Sequence, residues 1–330
     1  MPKRAVILLN MGGPRTLEEI PAYLENIFND PNIIDIPVPG FLRKPLVRRI
    51  VKKRIPKTTA IYKQIDGGSP LNLITEQQAK ALEKRLNELN QPDINVFYAM
   101  SYTRPFFPEI WETVEKGAYD QVILLSLYPH FSTTTTGSCI KQWLKVRENG
   151  PQSFFIKSFY DHLAYIEVTA KHIESYIKTN SVEGEEAVLL FSAHGIPVSR
   201  VKKGDPYPDE INRCIDAIAD RFPQNIETYL GFQSKVGPVR WLEPETSEVI
   251  KILAEQGIEK LFVYPISFVA DNSESLYEID ILFRNKALSY GVDIFHTIPC
   301  LNTDDSFIGA LAAIIGEAIN GELDERYLVG

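Results

Sequence analysis

Short, continuous hydrophobic runs alternate along this chain with segments in which apolar residues recur at helical spacing. The first run, A-V-I-L-L-N at residues 5–10, is of strand length and ends at M-G-G-P. Another, A-V-L-L-F at residues 187–191, ends at S-A-H-G. Runs of this kind, closed by glycine or proline, are typical of strands buried on both faces of a parallel sheet. The second run therefore predicts a strand with His194 just beyond its carboxyl end, which is where open α/β sheets bind ligands.

The predicted strands form two sets that follow the same order. The first set covers residues 5–10, 95–101, 121–127 and 154–159, and the second covers 187–191, 227–233, 261–266 and 293–297. Pro or Gly stands at matching exits in the two sets, as in the pair Tyr128-Pro129 and Tyr264-Pro265. This repetition predicts an α/β protein made of two similar halves, each with a four-stranded parallel sheet flanked by helices.

The expected domain division follows from this repetition. Residues 1–150 are assigned to the first half and residues 151–305 to the second. A last helix at about residues 306–320 is expected to pack back onto the first half, so residues 306–330 are assigned there.

The 36–57 segment differs in character from the rest of the first half. Pro37, Pro39 and Gly40 predict an irregular lead-in, and residues 45–54 predict a helix with proline at its first position. One helix face is apolar and the other carries four basic residues. Three interpretations stay open: contact with an anionic membrane surface, contact with an anionic ligand, or an ordinary surface helix that packs its apolar face inward. The apolar face holds Leu46, Val47, Ile50 and Val51, and the basic face holds Arg48, Arg49, Lys52 and Lys53.

Composition narrows the class of protein. The 330 residues are 44% hydrophobic and 24% charged, as in folded proteins that do not span membranes, and no stretch of 18 apolar residues occurs. A formal net charge of −8 disfavours general nucleic-acid binding. The three cysteines form no C-x-x-C pair, which fits a reducing compartment. We expect a cytoplasmic protein, at most peripheral on a membrane through the 36–57 segment.

Carboxylates cluster after the third strand of the second half. Residues 265–280 read P-I-S-F-V-A-D-N-S-E-S-L-Y-E-I-D and predict a helix that begins near Asn272, capped by Asp271 or Ser273. Glu274 and Glu278 are four residues apart and lie on one helix face, although like charges at this spacing repel. Such a row suits the passage of cations or protons. The alternative is a solvated helix face.

His194 and Glu274 follow the first and third strands of the second half, so both lie at the same rim of a parallel sheet. A histidine and a carboxylate form an acid/base pair, because imidazole titrates near neutrality. They also make a sparse, open metal site that accepts first-row ions, including iron. The alternative for His194 is a loop histidine that is hydrogen-bonded to nearby backbone.

Aromatic residues stand near the same strand exits. With Met11 they can form an apolar slot for a flat hydrophobic ligand, whereas core packing is the usual role of such side chains. These residues are Tyr102, Tyr128, Trp241 and Phe268. Walker and G-x-G-x-x-G motifs are missing, which lowers the case for nucleotide binding.

Motifs along nearly the whole chain resemble those of ferrochelatases. They are L-L-N-M-G-G-P at the start, K-R-I-P-K with Tyr62 after it, G-G-S-P at 67–70, Y-P-H-F-S-T-T-T-T-G-S at 128–138, L-F-S-A-H-G-I-P, G-D-P-Y-P at 204–208, Q-S-K-V-G-P-V-R-W-L at 233–242, and the acidic stretch at 265–280. The resemblance implies two Rossmann-like halves with a porphyrin cleft between them. It also implies a lyase that inserts Fe²⁺ into protoporphyrin IX, which gives haem b and releases two protons in the last step of haem biosynthesis.

The resemblance assigns roles to particular residues. It implies that His194 accepts the pyrrole N–H protons, with transient metal contact, and that Glu274 faces it across the macrocycle. It implies that Asp271 and Glu278 line a path for metal or protons. Arg54 matches a basic residue near the porphyrin propionates. The implied porphyrin-binding residues are Met11, Arg54, Tyr62, Tyr102, Tyr128, Trp241 and Phe268.

This sequence departs from the family pattern at several positions, which limits the residue roles that the resemblance can assign to it. Asn272 stands where many relatives have histidine, and Leu282 stands where some have a further acid. The cluster cysteines of some relatives are missing, so no iron–sulfur cluster and no prosthetic group are expected. Met11 and the 36–57 segment favour protoporphyrin over coproporphyrin III. Three alternative functions remain: a ferrochelatase that acts on coproporphyrin III, another tetrapyrrole metal chelatase, and a non-catalytic porphyrin or haem carrier.

Overall fold

The computed structural model describes residues 2–34, 39–89, 93–146, 152–182, 184 and 186–329. The chain divides into two compact units, each built on its own sheet. The first unit contains Met1–Tyr128, Ser132–Ser158 and Asp324–Gly330, and the second contains Pro129–Phe131 and Phe159–Leu323.

The first unit alternates strands and helices along the chain. A single 3₁₀ turn at Leu17–Glu19 precedes its first helix. The strands are β1 (Arg4–Asn10), β2 (Ile94–Met100), β3 (Gln121–Ser126) and β4 (Gln152–Ile156), and the helices are α1 (Ile20–Asn29), α2 (Gly40–Tyr62), α3 (Leu71–Glu88), α4 (Phe107–Lys116) and α5 (Thr136–Val146).

The second unit repeats this alternation. Between its third and fourth strands, a π-helix at Glu274–Phe283 continues directly into an α-helix. The strands are β5 (Ala187–His194), β6 (Ile226–Gln233), β7 (Lys260–Tyr264) and β8 (Ile294–Thr297), and the helices are α6 (Leu163–Thr179), α7 (Val198–Val201), α8 (Tyr207–Ala219), α9 (Thr246–Glu255), α10 (Arg284–Tyr290) and α11 (Asp305–Asn320).

The two sheets have the same strand order, as the repeated pattern predicts. The first sheet runs β2-β1-β3-β4 and the second runs β6-β5-β7-β8, with every one of these neighbours parallel. The central strands β1 and β5 are buried along almost their whole length, because helices cover both faces of each sheet. The predicted α/β class and parallel sheets are therefore confirmed.

One strand of the first sheet is not predicted from the sequence. The two-residue strand β9 (Leu328–Val329) pairs antiparallel with β4, opposite Ile156 and Phe155. A two-residue segment is too short to show strand periodicity, so the pattern contains no signal for it.

The expected assignment of residues 306–330 to the first half is wrong for the helix it contains. Helix α11 belongs to the second unit and packs against α6, and only Asp324–Gly330 return to the first unit. The boundary also moves from residue 150 to Ser158, because β4 completes the first sheet. The apolar pattern of α11 predicts a buried face but does not say which unit covers it.

Helix α2 is longer than predicted and includes Pro45 and Pro56. Residues 36–38 of the 36–57 segment lie outside the described residues, as does the predicted lead-in at Pro37. Val47 and Val51 are buried and α2 packs on α1, while the four basic residues of the opposite face are exposed. The interpretation as a surface helix with an inward apolar face is therefore confirmed for the described part.

No helix among the described residues is both long enough and apolar enough to cross a membrane.

Candidate active site

His194 is the last residue of β5, at the carboxyl end of the central strand of the second sheet. Its backbone N–H donates a 2.9 Å hydrogen bond to Ser267 Oγ, beyond the end of β7, and the Tyr207 hydroxyl lies 2.6 Å from the same oxygen. The next residue, Gly195, is needed for close approach, because a Cβ atom there would lie 2.9 Å from the carbonyl oxygen of Gln233. The backbone that carries the imidazole is thus held on both sides.

The imidazole of His194 contacts a carboxylate directly. Its Nδ1 atom lies 2.7 Å from Glu274 Oε2, and the two side chains are 36% and 24% exposed. A carboxylate oxygen accepts a hydrogen bond, so Nδ1 carries the proton in the neutral ring and Nε2 keeps its lone pair. The arrangement leaves Nε2 as the atom that can take up a proton or touch a metal ion.

The predicted convergence of His194 and Glu274 is confirmed within the second unit. The expectation that Glu274 faces His194 across a macrocycle is wrong, because no macrocycle fits between atoms 2.7 Å apart. The reason lies in the sheet: β5 and β7 are hydrogen-bonded neighbours, so side chains that follow them meet directly.

Two polar residues at the end of β6 extend this contact. Gln233 Nε2 donates to Glu274 Oε2 over 3.1 Å, and the Ser234 hydroxyl lies 3.1 Å from the same oxygen. The Ser234 hydroxyl also lies 2.5 Å from Glu278 Oε2, and its backbone N–H donates to Glu278 Oε1 over 2.9 Å. The imidazole, both carboxylates and the serine therefore form one continuous row in which neighbouring groups lie within hydrogen-bond distance.

The surroundings shift the pKa values of the three ionisable groups in this row in different directions. Burial lowers the pKa of His194, but the charge and hydrogen bond of Glu274 outweigh it, so the pKa lies above the usual value. Burial raises the pKa of Glu274, but the imidazole and the neighbouring donors outweigh burial and lower it. Burial and the nearby charge of Glu274 raise the pKa of Glu278. Glu274 is therefore the anionic partner of His194, and Glu278 takes up a proton more readily than an ordinary glutamate.

The helix that carries both glutamates is a π-helix over Glu274–Phe283, where the sequence predicts an α-helix. Segments of π-helix are rare and are often found at functional sites. The predicted cap is also wrong: Asn272 Oδ1 accepts from the N–H of Glu274 over 2.8 Å, whereas the Ser273 side chain makes no capping bond. Asn272 thus fixes the first residue of this helix.

The carboxylate of Asp271 is engaged elsewhere. It accepts hydrogen bonds from Asn302 Nδ2 at 2.6 Å, Ser275 Oγ at 3.0 Å and the backbone N–H of Cys300 at 3.2 Å. These contacts tie the start of the π-helix to the segment after β8. A place for Asp271 in a metal or proton path stays a prediction.

Two of the predicted porphyrin-binding residues flank the imidazole. The ring centroid of Trp241 lies 6.5 Å and that of Phe268 6.4 Å from that of His194, with interplanar angles of 73° and 79°. The Trp241 indole N–H donates to the carbonyl oxygen of Val236 over 2.9 Å, which holds the ring in place. The structure therefore brings His194, Trp241 and Phe268 together.

The other predicted porphyrin-binding residues belong to the first unit. Met11 is half-buried and packs against the core, and Arg54 is exposed, with its guanidinium 5.0 Å from the ring centre of Phe28. The Tyr102 hydroxyl donates to Asp30 Oδ2 over 2.7 Å. Burial and the charge of Asp30 raise the pKa of this tyrosine. Core packing accounts for much of the burial of Tyr62, Tyr102 and Tyr128, and porphyrin contact by all five residues stays a prediction.

Sequence reasoning missed the residues that hold the pair in place. All of them lie in motifs that were recognised, but serine and glutamine after a strand are common and Tyr207 is the first residue of α8, so residue type alone does not select them. These residues are Tyr207, Gln233, Ser234, Ser267 and Asn272.

Among the described residues, no group of three or more His, Cys, Asp or Glu side chains is arranged to hold a metal ion. His194 and Glu274 together supply two ligand atoms, which suits brief contact better than permanent coordination. The thiols of Cys139, Cys214 and Cys300 are all buried.

Comparison with known proteins agrees with this arrangement. The family model described as ferrochelatase matches residues 3–319. A ferrochelatase of Geotalea uraniireducens is 40% identical over 323 residues, which are 97% of this chain and 99% of that protein. A ferrochelatase of Synechocystis sp. is 41% identical over 326 residues, which cover 97% of this chain and 84% of that protein.

Two solved structures have the same fold at low sequence identity. The structure described as SirB from Bacillus subtilis with Fe3+ aligns with a TM-score of 0.57 at 12% identity, covering 98% of this chain and 99% of that one. CbiX, described as the terminal enzyme of sirohaem biosynthesis in denitrifying bacteria, aligns with a TM-score of 0.51 at 14% identity, covering 98% and 100%. The chelatase-like fold of two Rossmann-like halves is thereby confirmed.

Proposed function

Since this chain belongs to the ferrochelatase family, whose members insert a metal ion into a porphyrin, we propose that it inserts Fe²⁺ into protoporphyrin IX to give haem b. The observation that carries the proposal is the 2.7 Å contact of His194 with Glu274, which leaves one imidazole nitrogen available as a base. Insertion replaces two pyrrole N–H protons with one divalent ion. A proton acceptor at the ring is therefore the first chemical requirement.

His194 meets this requirement in the proposed mechanism. Nε2 accepts a pyrrole proton, and the resulting imidazolium is stabilised by the Glu274 carboxylate on its other nitrogen. Because the carboxylate raises the pKa of the imidazole, it makes the base stronger as well as orienting it. The second pyrrole proton leaves by the same route once the first has moved on.

Glu278 continues the route away from the imidazole. Its raised pKa and its contact with Ser234, which also touches Glu274, make it a suitable next carrier for a proton. We propose that Glu274 and Glu278 carry charge between the reacting ring and the solvent. Asp271 is retained as a member of this path on the family resemblance alone.

Iron enters as a substrate and is handed to the porphyrin. An imidazole nitrogen and a carboxylate oxygen are both acceptable ligands for Fe²⁺, so His194 and Glu274 are proposed to touch it transiently. Two ligands without further protein donors release an ion more readily than a closed four-ligand site does.

Binding of a bent porphyrin supplies the rest of the proposed rate acceleration. A planar ring points its nitrogen lone pairs at one another, whereas a bent ring tilts them outward to an incoming ion. A site that binds the bent form more tightly lowers the barrier. Trp241 and Phe268, which flank His194, are proposed to press on the macrocycle, and Met11, Arg54, Tyr62, Tyr102 and Tyr128 are kept as proposed contacts on the resemblance.

The choice of protoporphyrin over coproporphyrin rests on Met11 and on the 36–57 segment. Two exposed apolar residues at the start of α2, Phe41 and Leu42, support an apolar lip suited to the less carboxylated porphyrin. The same residues support a proposed peripheral contact with a membrane surface, for a cytoplasmic protein that needs no prosthetic group.

The test is a direct assay of metal insertion. Purified protein is mixed anaerobically with Fe²⁺, or with Zn²⁺ in air, and with either protoporphyrin or coproporphyrin, and absorbance is followed. The expected result is faster insertion into protoporphyrin, and His194→Ala serves as the inactive control. A preference for coproporphyrin would overturn the proposed substrate. Tight haem binding without any insertion would indicate a carrier.

A further inference from the structure

Ser234 follows β6 directly and contacts both carboxylates of the row. Its backbone N–H and hydroxyl meet the two oxygens of Glu278 at 2.9 and 2.5 Å, and the hydroxyl lies 3.1 Å from Glu274 Oε2. We infer that Ser234 is a positioning residue that holds Glu274 and Glu278 as one pair beside His194. The inference rests on the proposed function, because it concerns the same row of groups.

The backbone of Ser234 is specialised for this contact. Its φ angle is +70°, in the left-handed region that residues other than glycine rarely adopt. Such a conformation persists only where the surroundings hold it in place. Here it accompanies an amide and a hydroxyl that bind the two oxygens of a single carboxylate.

The residue before Ser234 is held equally firmly. Gln233 is paired with His194 in the register of β5 and β6, and its Oε1 atom accepts a 2.6 Å hydrogen bond from Ser192 Oγ. Its Nε2 atom donates to Glu274. The end of β6 therefore reaches Glu274 and, through Ser234, Glu278, while the ring of His194 binds Glu274 from the neighbouring strand.

The carboxylates of Glu274 and Glu278 need a hydrogen-bonding partner such as Ser234. Like charges four residues apart on a helix repel each other, and both groups are partly buried. A hydroxyl carries one hydrogen, so the Ser234 hydroxyl donates to one of the two carboxylates at a time, while the serine amide donates to the other oxygen of Glu278. Without the hydroxyl, Glu278 loses the group that it shares with Glu274 and is held by the backbone N–H of residue 234 alone.

A serine that merely shapes the turn would behave differently from one that positions the carboxylates. Ser234→Gly distinguishes the two roles, since glycine adopts the observed φ without strain but lacks the hydroxyl. Ser234→Cys keeps a weak donor at the same place. Ser289→Ala is the matched control, because Ser289 is exposed on α10 and its hydroxyl donates to the carbonyl oxygen of Lys286.

The expected result for Ser234→Gly is a fall in kcat of about tenfold to a hundredfold, the range that misplaced catalytic groups cause, with porphyrin affinity unchanged. Ser234→Cys recovers part of the loss, and Ser289→Ala loses nothing. Because Ser234 acts through Glu278, the double variant Ser234→Gly/Glu278→Gln turns over as slowly as Glu278→Gln alone. Wild-type turnover by Ser234→Gly, or multiplied losses in the double variant, would overturn the inference.

The outcome is separable from failure of the proposed function. Wild type and His194→Ala are assayed in parallel with both porphyrins, so an active wild type with an unaffected Ser234→Gly variant contradicts only the role of Ser234. A crystal structure of Ser234→Gly gives a readout that does not depend on turnover. A Glu278 carboxylate displaced from Glu274 supports the inference, and an unmoved one overturns it.

Discussion

The Nδ1 atom of His194 lies 2.7 Å from Oε2 of Glu274, so the proton on that nitrogen points at the carboxylate and the lone pair of Nε2 points away from it. This one contact decides which nitrogen acts as the base and how strong a base it is.

Replacement of His194 by alanine is expected to abolish metal insertion and to leave porphyrin binding nearly unchanged. The reason is that the variant lacks the proton acceptor but keeps Trp241 and Phe268, which flank the position of the imidazole and are proposed to contact the porphyrin. Insertion is measured by absorbance and binding by quenching of porphyrin fluorescence. His172→Ala is the control, since the ring of His172 lies beside the carbonyl oxygen of Pro299 and the ring of Tyr264. Near-normal turnover by His194→Ala would refute the proposed role.

Glu274→Gln is expected to slow insertion by about 10²- to 10⁴-fold, the usual contribution of a positioned acid/base group. Glutamine removes the charge that stabilises the imidazolium and can donate to Nδ1, which would move the ring proton to Nε2.

The same variant also alters the pH dependence. Imidazole accepts a proton only when neutral, so activity falls as pH drops through the pKa of His194, which Glu274 raises above its usual value. In Glu274→Gln that acidic limb is expected to shift to lower pH. A limb at the same pH in both proteins, measured as kcat/KM against pH, would show that Glu274 does not set this pKa.

Glu278→Gln tests the path beyond the pair. The substitution keeps the size of the side chain and its contact with Ser234 but removes the group that takes up a proton. We expect a lower kcat together with a changed KM for the metal ion, and an unchanged KM for porphyrin. Steady-state kinetics at varied metal and porphyrin concentrations separate these quantities, and unchanged metal KM and kcat would remove the main support for the path.

Ser267→Ala tests the support under His194. It leaves the Tyr207 hydroxyl and the backbone N–H of His194 without their shared partner, and an unpaired buried polar group costs about 1–3 kcal/mol. We expect a loss of this size in the free energy of unfolding, measured by urea denaturation. Adding Tyr207→Phe removes the second hydroxyl and is expected to restore part of the loss, and an additive loss would contradict this pairing.

The double variant Phe41→Ser/Leu42→Ser tests the proposed membrane contact. The side chains are 79% and 46% exposed at the start of α2, next to an exposed basic face. Sedimentation with vesicles of anionic lipid is expected to carry down the wild type and less of the variant, while neutral vesicles carry down little of either. Equal sedimentation of wild type and variant would show that these residues do not make the contact.

Much of the strand arrangement of the second unit was predicted from the hydrophobic pattern of the sequence. Continuous apolar runs predicted β5 and β7 within a few residues, and a parallel sheet with both strands brings their exits together. That logic was sufficient to place His194 beside Glu274. The macrocycle between them was implied by the family resemblance and not by periodicity, which gives the edge of the sheet but not the distance between two side chains on it.

Local sequence also failed to predict uncommon backbone conformations, such as the π-helix and the left-handed φ of Ser234. The i, i+4 spacing of Glu274 and Glu278 fits an α-helix, and the same spacing occurs in the observed π-helix. The left-handed φ of Ser234 accompanies contacts with Glu278, which is distant in sequence, so it has no local signature. The capping bond of Asn272 spans only two residues, and asparagine is a common capping residue.

The sequence by itself determined the α/β class, the repeated order of strands, and the strand exits at which His194 and Glu274 stand, because hydrophobic periodicity and turn residues act locally. Tertiary structure alone decided the unit to which α11 belongs, the hydrogen bond that selects the tautomer of His194, and the bridging place of Ser234. These features depend on distances of a few ångströms between segments far apart in the chain. Only packing of the folded protein sets such distances.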